Sequence, residues 1–572
     1  MKVLCVLAIL CFSGMHCLAL DREAFTFTNY SLDVRVDPGQ QRLAVRGKIT
    51  LRNDSDLPQR NLSLQISSTL NWSAIQFDGK PAVFVSQVYT SDIDHTGALS
   101  EAIITLAKPV APQHTVELEI GYEGVVPQDA TRLTRIGVPA EIAKQSDWDQ
   151  ISPSFTALRG IGYVTWYPVS TQAANLSEGS SVFEAVGRWK QKEARAEMRI
   201  ALGYSGGTSD APSEMLSNGI ETKGMVTEAA RGQILSLDSS FSPTGSVVPT
   251  FTIGQYSKMD RNAVSIHYLS DHKSGAEDYG LAAEETAPFV NKWFGDHREK
   301  PERKAQVVEL ADSSASPFES GNMLWMPLTA KDTTLLLSAI QQLTLLMLPS
   351  QRAWISHGLS SYAQVSYVQE KEGRTPAIDY LQRHRDPLVQ SETQVAGADP
   401  AAHSLINSPD EFYVQAKAMN VWWMLRDMIG ENALTAALHN YRASEDKKAS
   451  YMQKLIEAQA HRDLEWFFDD WVYRDRGLPD FRIASVYPRQ LVSGGYMVTV
   501  TVENLGDAAA EVPVTLHMQN GEASGRLVVA GKSQSSVRIQ AATLPQEVVV
   551  NDGSVPERDV SNNTYRIERV VH

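Results

Sequence analysis

From Phe25 to about Gly203 apolar and polar residues alternate in short runs, as in Tyr30 to Val36, Ala44 to Leu51 and Thr115 to Ile120. A period of two places every second side chain on one face of a strand, and the Asn, Asp, Gly and Pro residues between the runs supply turns. The pattern predicts a large antiparallel sheet domain. The Gly- and Ser-rich passage from Ser205 to Gly245 still contains strand-like pieces and closes it, giving a first domain over residues 20–250.

The period changes near Ser274. Tyr279, Leu281, Ala282, Phe289, Val290 and Trp293 fall at helical spacing, Ala305 to Leu310 reads as a buried strand, and helical patterning dominates from Asp332 to Tyr473. Residues 251–479 therefore read as a mixed α/β domain. After Gly477-Leu-Pro479 the chain returns to strands: Tyr496 to Val502, Val512 to Met518, Gly525 to Val529, Ser536 to Ile539 and Glu547 to Val550. Turn residues every eight to twelve positions predict an immunoglobulin-like β-sandwich over 480–572. The expected fold class is multidomain α+β, without internal repeats.

The first residues change the picture of where the protein works. Lys2, the apolar run Val3 to Phe12 and small residues ending at Ala19 have a signal-peptide layout, with residues 1–19 removed. The run is shorter than the roughly twenty apolar residues of a membrane anchor, so a secreted or periplasmic protein with no stable anchor after cleavage is expected. All three cysteines lie in this segment, leaving a mature chain without disulfides or thiolate metal sites. Cleavage takes Lys2 with it, so the net charge of −15 becomes −16. With no basic run, nucleic acid is excluded as the expected partner.

Four segments carry the candidate chemistry: Gly160 to Val169 with its Tyr167-Pro168 pair, Ser316 to Leu324 with Glu319, the helix Leu335 to Leu348, and Trp354-Ile-Ser-His-Gly-Leu-Ser-Ser-Tyr362. In this order they resemble the M1 family of zinc aminopeptidases. Leu464 to Tyr473 and Gly477-Leu-Pro479 resemble the same family's exit from its catalytic domain. The resemblance implies a β-sandwich or saddle domain, a thermolysin-like catalytic-type domain and the C-terminal sandwich. The long helical superstructure of many members is missing, because strands follow Pro479 directly.

The resemblance also says what each position would do. Glu319 falls on the glutamate that binds a substrate's α-amine. HExxH maps onto Gln341, Gln342, Leu343, Thr344 and Leu345. His357 stands where WLNEG carries the third zinc ligand. Eleven residues separate Leu345 from His357, against eighteen in the family, and counting eighteen reaches Gln364 instead. The transition-state tyrosine position falls on Gln415, two residues after Tyr413.

HExxH works because residues four apart share a helix face, so two imidazoles meet one zinc ion while the intervening glutamate handles water. Glutamine has no useful pKa and leucine has no donor atom, so Gln341, Gln342 and Leu345 supply neither base nor ligand pair. The degenerate positions Gln341, Gln342, Leu345, His357 and Gln415 imply no catalytic residue, no metal and no cofactor.

Three readings follow. The first is a pseudopeptidase that binds a peptide or protein in the former cleft, with Glu319, His357 and Tyr413 as candidate ligand contacts. The second is a functional zinc aminopeptidase with a rebuilt site using Glu319 and His357. The third is a structural or assembly protein whose cleft is filled by side chains. Simpler roles compete throughout: Gln341 and Gln342 as hydrogen-bonded amides, His357 as a satisfied buried histidine, Glu319 as one half of an ion pair. His267, His272, His384, His403, His439 and His461 stand singly, and no GxSxG, P-loop or dinucleotide fingerprint occurs. Ligand identity and oligomeric state are not encoded in any motif.

Overall fold

A computed structural model describes residues 20–179, 181–205, 214–229, 232–295, 304–329, 332–395 and 404–567. The expected signal segment, 1–19, with all three cysteines, lies outside the described residues. No helix among the described residues is long and apolar enough to cross a membrane.

Strand Phe25–Asp37 buries Tyr30, Leu32, Val34 and Val36 while Asp33 and Arg35 face water, as its alternation requires. Asp37 then accepts a hydrogen bond from Gln40 N–H and turns the chain into the antiparallel strand Arg42–Asn53. These two belong to an eight-stranded sheet, accompanied by a three-stranded and a four-stranded sheet.

Two features depart from a purely antiparallel domain. Strand Glu197–Ser205 runs parallel to Phe25–Asp37. Before it comes a helix, Ser181–Glu193, whose C-terminal Glu193 accepts the backbone N–H of Phe27 at 3.1 Å. Strand Phe251–Gly254 pairs with Phe155–Leu158 and Glu214–Ser217, whereas Tyr256–Asp260 pairs with Val264–Leu269. The change of sheet falls at Gln255.

The middle region is built on a five-stranded sheet in the order Tyr256–Asp260, Val264–Leu269, Ala305–Glu309, Met323–Met326, Phe318–Ser320. Its inner three strands are parallel, and the short strand Phe318–Ser320 forms one edge, antiparallel to Met323–Met326 with Glu319 opposite Leu324. Gly321, at φ 65°, makes the tight turn between these two.

Helix Asp332–Met347 ends just before Pro349, whose ring disfavours helical backbone at Leu348. The chain reverses into helix Ala353–Glu372, which packs on helix Glu411–Ile429. Gly358 permits that approach, since a Cβ there would lie 2.4 Å from Ala418 Cβ. Trp354 and Trp422 stack at 5.0 Å, and Trp422 donates its indole N–H to the Trp354 carbonyl at 2.9 Å. The C-terminal region has sheets of three and four strands, and Val498, Val500 and Val502 of one share a core with Val512, Val514 and Leu516 of the other.

Candidate functional site

Gln341 and Gln342 are neighbours on helix Asp332–Met347 but point about 100° apart around its axis, so they enter different surroundings. Gln342 is 2 % exposed. It accepts a hydrogen bond from Tyr279 OH at 2.9 Å and donates to the Gln306 carbonyl at 2.8 Å. It thereby ties its helix to helix Lys273–Phe294 and to the sheet.

Gln341 joins a chain of hydrogen bonds. Tyr380, on helix Arg374–Gln382, donates its hydroxyl to Gln364 Oε1 at 3.1 Å. Gln364 Nε2 donates to Gln341 Oε1 at 3.1 Å and to the Leu337 carbonyl at 3.0 Å. Gln341 Nε2 donates to Glu319 Oε2 at 2.9 Å. The Leu337 carbonyl can only accept, so it fixes the Gln364 amide with its NH2 toward Leu337 and Gln341 and its oxygen toward the Tyr380 hydroxyl.

Glu319 ends this chain from the edge strand. Its Oε1 is buried and finds no partner among the described residues. Burial disfavours its carboxylate and pushes the pKa up to about 7, against the Gln341 hydrogen bond that lowers it.

Beside the amides lies a cavity of about 260 Å3 lined by Gln341, Ser361, Gln364, Tyr380, His384, Phe412, Gln415, Ala416 and Met419. Gln415 donates to Ser361 Oγ at 2.8 Å. The structure thus brings Gln341, Gln364 and Gln415 to one cavity, with Glu319 bonded to the first. Leu345 is half-buried and offers no polar atom.

His357 and Tyr413 lie elsewhere. His357 does not line this cavity; burial holds its pKa below the usual imidazole range, while nearby Glu411 acts in the opposite sense. Glu411 is itself paired with Lys190 at 2.7 Å. Tyr413 is 4 % exposed and belongs to a buried group in which Lys417 Nζ reaches its hydroxyl at 2.8 Å and Asp475 Oδ1 at 2.5 Å, while the hydroxyl donates to Asp475. Burial alone would raise the Asp475 pKa, yet Lys417 holds it below the ordinary value.

Sequence reading passed over Tyr380, which no motif marks, and treated His384 only as an isolated histidine. Tyr380 lies on the helix after the Gly373 break and His384 just beyond that helix, so only the folded chain brings them to Gln364.

The donor set does not suit zinc. Gln341, Leu345 and Gln364 provide two neutral amides and a hydrocarbon, where a catalytic zinc site needs three imidazole or carboxylate donors. Among the described residues no three His, Cys, Asp or Glu side chains gather as metal ligands.

No protein-family model matches this chain, and no curated protein matches it. Among solved structures, it is similar to a mutant M1 zinc metallopeptidase from Deinococcus radiodurans bound to a Tyr-Ser-Ala substrate, at 15 % identity and a TM-score of 0.47, over 81 % of this chain and 97 % of that one.

Proposed function

We propose that this chain is a secreted or periplasmic pseudopeptidase on an M1-like scaffold, which binds a peptide or protein in the former catalytic cleft without hydrolysing it. The observation that carries the reading is the bonded chain Tyr380, Gln364, Gln341, Glu319. Hydrogen-bonded Gln341 and the hydrocarbon Leu345 stand where the resemblance calls for two zinc-ligating histidines, and the amide Gln342 stands where it calls for the general base.

Glu319 on an edge strand antiparallel to its neighbour, and the ordered run of family-like segments, support the scaffold. The cavity beside the amides favours binding over the reading in which side chains fill the cleft. Metal analysis of the mature protein, with an aminoacyl reporter assay, tests the proposal. The expected result is no stoichiometric zinc and no turnover; stoichiometric zinc with chelator-sensitive hydrolysis would overturn it.

A further inference from the structure

The glutamine-lined cavity has a definite hydrogen-bonding complement. Both N–H groups of Gln364 are used, on Leu337 and Gln341, and its oxygen takes the Tyr380 proton. Among the described residues, Gln341 spends one N–H on Glu319 and keeps one, and Gln415 spends one on Ser361 and keeps one, together with its carbonyl. His384 Nδ1 lies 3.2 Å from the Tyr380 carbonyl, which can only accept. Nδ1 therefore carries the proton, and in the neutral ring Nε2 presents a lone pair.

The cavity thus offers both donors and acceptors, and none of the described residues lining it is Asp, Glu, Lys or Arg. An ion entering it would lose water without meeting a counter-charge, and an alkyl group would leave the amides unpaired. At about 260 Å3 it is smaller than the roughly 300–1,000 Å3 of pockets that enclose a whole small ligand, and it suits one side chain of a larger one. Phe412, Ala416 and Met419, at helical spacing, form an apolar wall for a methylene stem. At that end Phe412, 46 % exposed, stacks on the exposed Phe183 of the preceding domain at 6.3 Å.

We infer that this cavity is a recognition pocket for an uncharged carboxamide side chain, Gln or Asn, of a peptide ligand. The amide enters between Gln341 and Gln415, accepting their spare N–H groups and donating to the Gln415 carbonyl or to His384 Nε2. This rests on the reading of the cleft as a binding site and names what it selects.

The test titrates the mature full chain with three blocked tripeptides, acetyl-Ala-Xaa-Ala-amide with Xaa as Gln, Glu or Leu, followed by calorimetry up to millimolar concentration. Blocking removes any α-amine contact to Glu319. The Gln peptide is expected to bind about tenfold or more tightly than the other two, and Gln415→Leu to erase that preference. Equal binding of all three, or no binding of any, overturns the inference. The peptide comparison on the unmodified protein decides the matter even if the variant does not fold. Zinc with turnover, alongside a clear Gln preference, would remove the pseudopeptidase reading and leave this one standing.

Discussion

Gln341 donates its side-chain N–H to Glu319 Oε2 at 2.9 Å, joining the middle of a helix to the edge of the sheet across 22 residues of sequence. That bond holds a buried carboxyl at the end of an amide chain, and the burial, which the bond only partly offsets, makes stability depend on pH. The folded-state pKa of Glu319 is pushed up to about 7 from an ordinary 4.5. Between those values the unfolded chain has released the proton while the folded one keeps it, so stability falls as pH rises from about 4.5 to about 7 and is level above.

Glu319→Gln abolishes this dependence. Relative to the unmodified protein, the variant should gain on the order of 2 kcal/mol between pH 5 and pH 8, after allowance for partial exposure of the residue. Urea unfolding of both proteins at the two pH values measures the difference. A gap that does not widen with pH would refute the shift.

The buried group around Lys417 is a second place where one change has a large effect. Lys417 is fully buried against Asp475 and the Tyr413 hydroxyl. Lys417→Met leaves a buried carboxylate unpaired and should cost about 3–5 kcal/mol, while adding Asp475→Asn to it should recover part of the loss. A double-mutant cycle by denaturant unfolding checks both figures. Additive losses would mean that the pair is not coupled.

Gly358→Ala should separate packing from chemistry. The new methyl would lie 2.4 Å from Ala418 Cβ and 3.1 Å from the Trp422 indole nitrogen, so the two helices must part. A loss of about 1–3 kcal/mol is expected, from overpacking alone. Adding Ala418→Gly should restore part of it, less the helix cost of a second glycine. No recovery in the melting temperature of the double variant would place the clash elsewhere.

What the sequence made legible follows the range of the forces involved. Alternation in Tyr30 to Val36 and in Tyr496 to Val502 is a local record of one wet and one dry face, and burial in the fold repeats it. The parallel pairing of Glu197–Ser205 left no such record, because strand partners far apart in the chain share no local pattern; helix Ser181–Glu193 does carry one, with Val182, Ala185 and Trp189 buried at helical spacing, and the reading by strand alternation passed over it. At the site, Glu319 and Gln341 are bonded at an interval the family spacing also marks. Tyr380, which donates to the first amide of the chain, has no motif, and the Tyr279 contact to Gln342 spans 63 residues. For the carboxylate position, the two ways of counting gave His357 by motif and Gln364 by interval, and it is Gln364 that sits 3.1 Å from Gln341.

That last contact leads to the sharpest expectation. His357 precedes Gln364 by seven residues on the same helix, about 10 Å along its axis, and it faces the charged pair Glu411 and Lys190 rather than the amides. If Gln364 occupies the carboxylate position of an M1-like site, then Gln341→His, Leu345→His and Gln364→Glu together supply two imidazoles four residues apart and a carboxylate already within reach. This triple variant should bind one equivalent of zinc. The same two histidines combined with His357→Glu, with Gln364 kept, should not. Metal content after dialysis, with cobalt absorption as a measure of coordination geometry, distinguishes the two proteins. Zinc retained by the His357→Glu version alone would move the old ligand position a full seven residues toward the start of the helix, and with it the centre of the cleft.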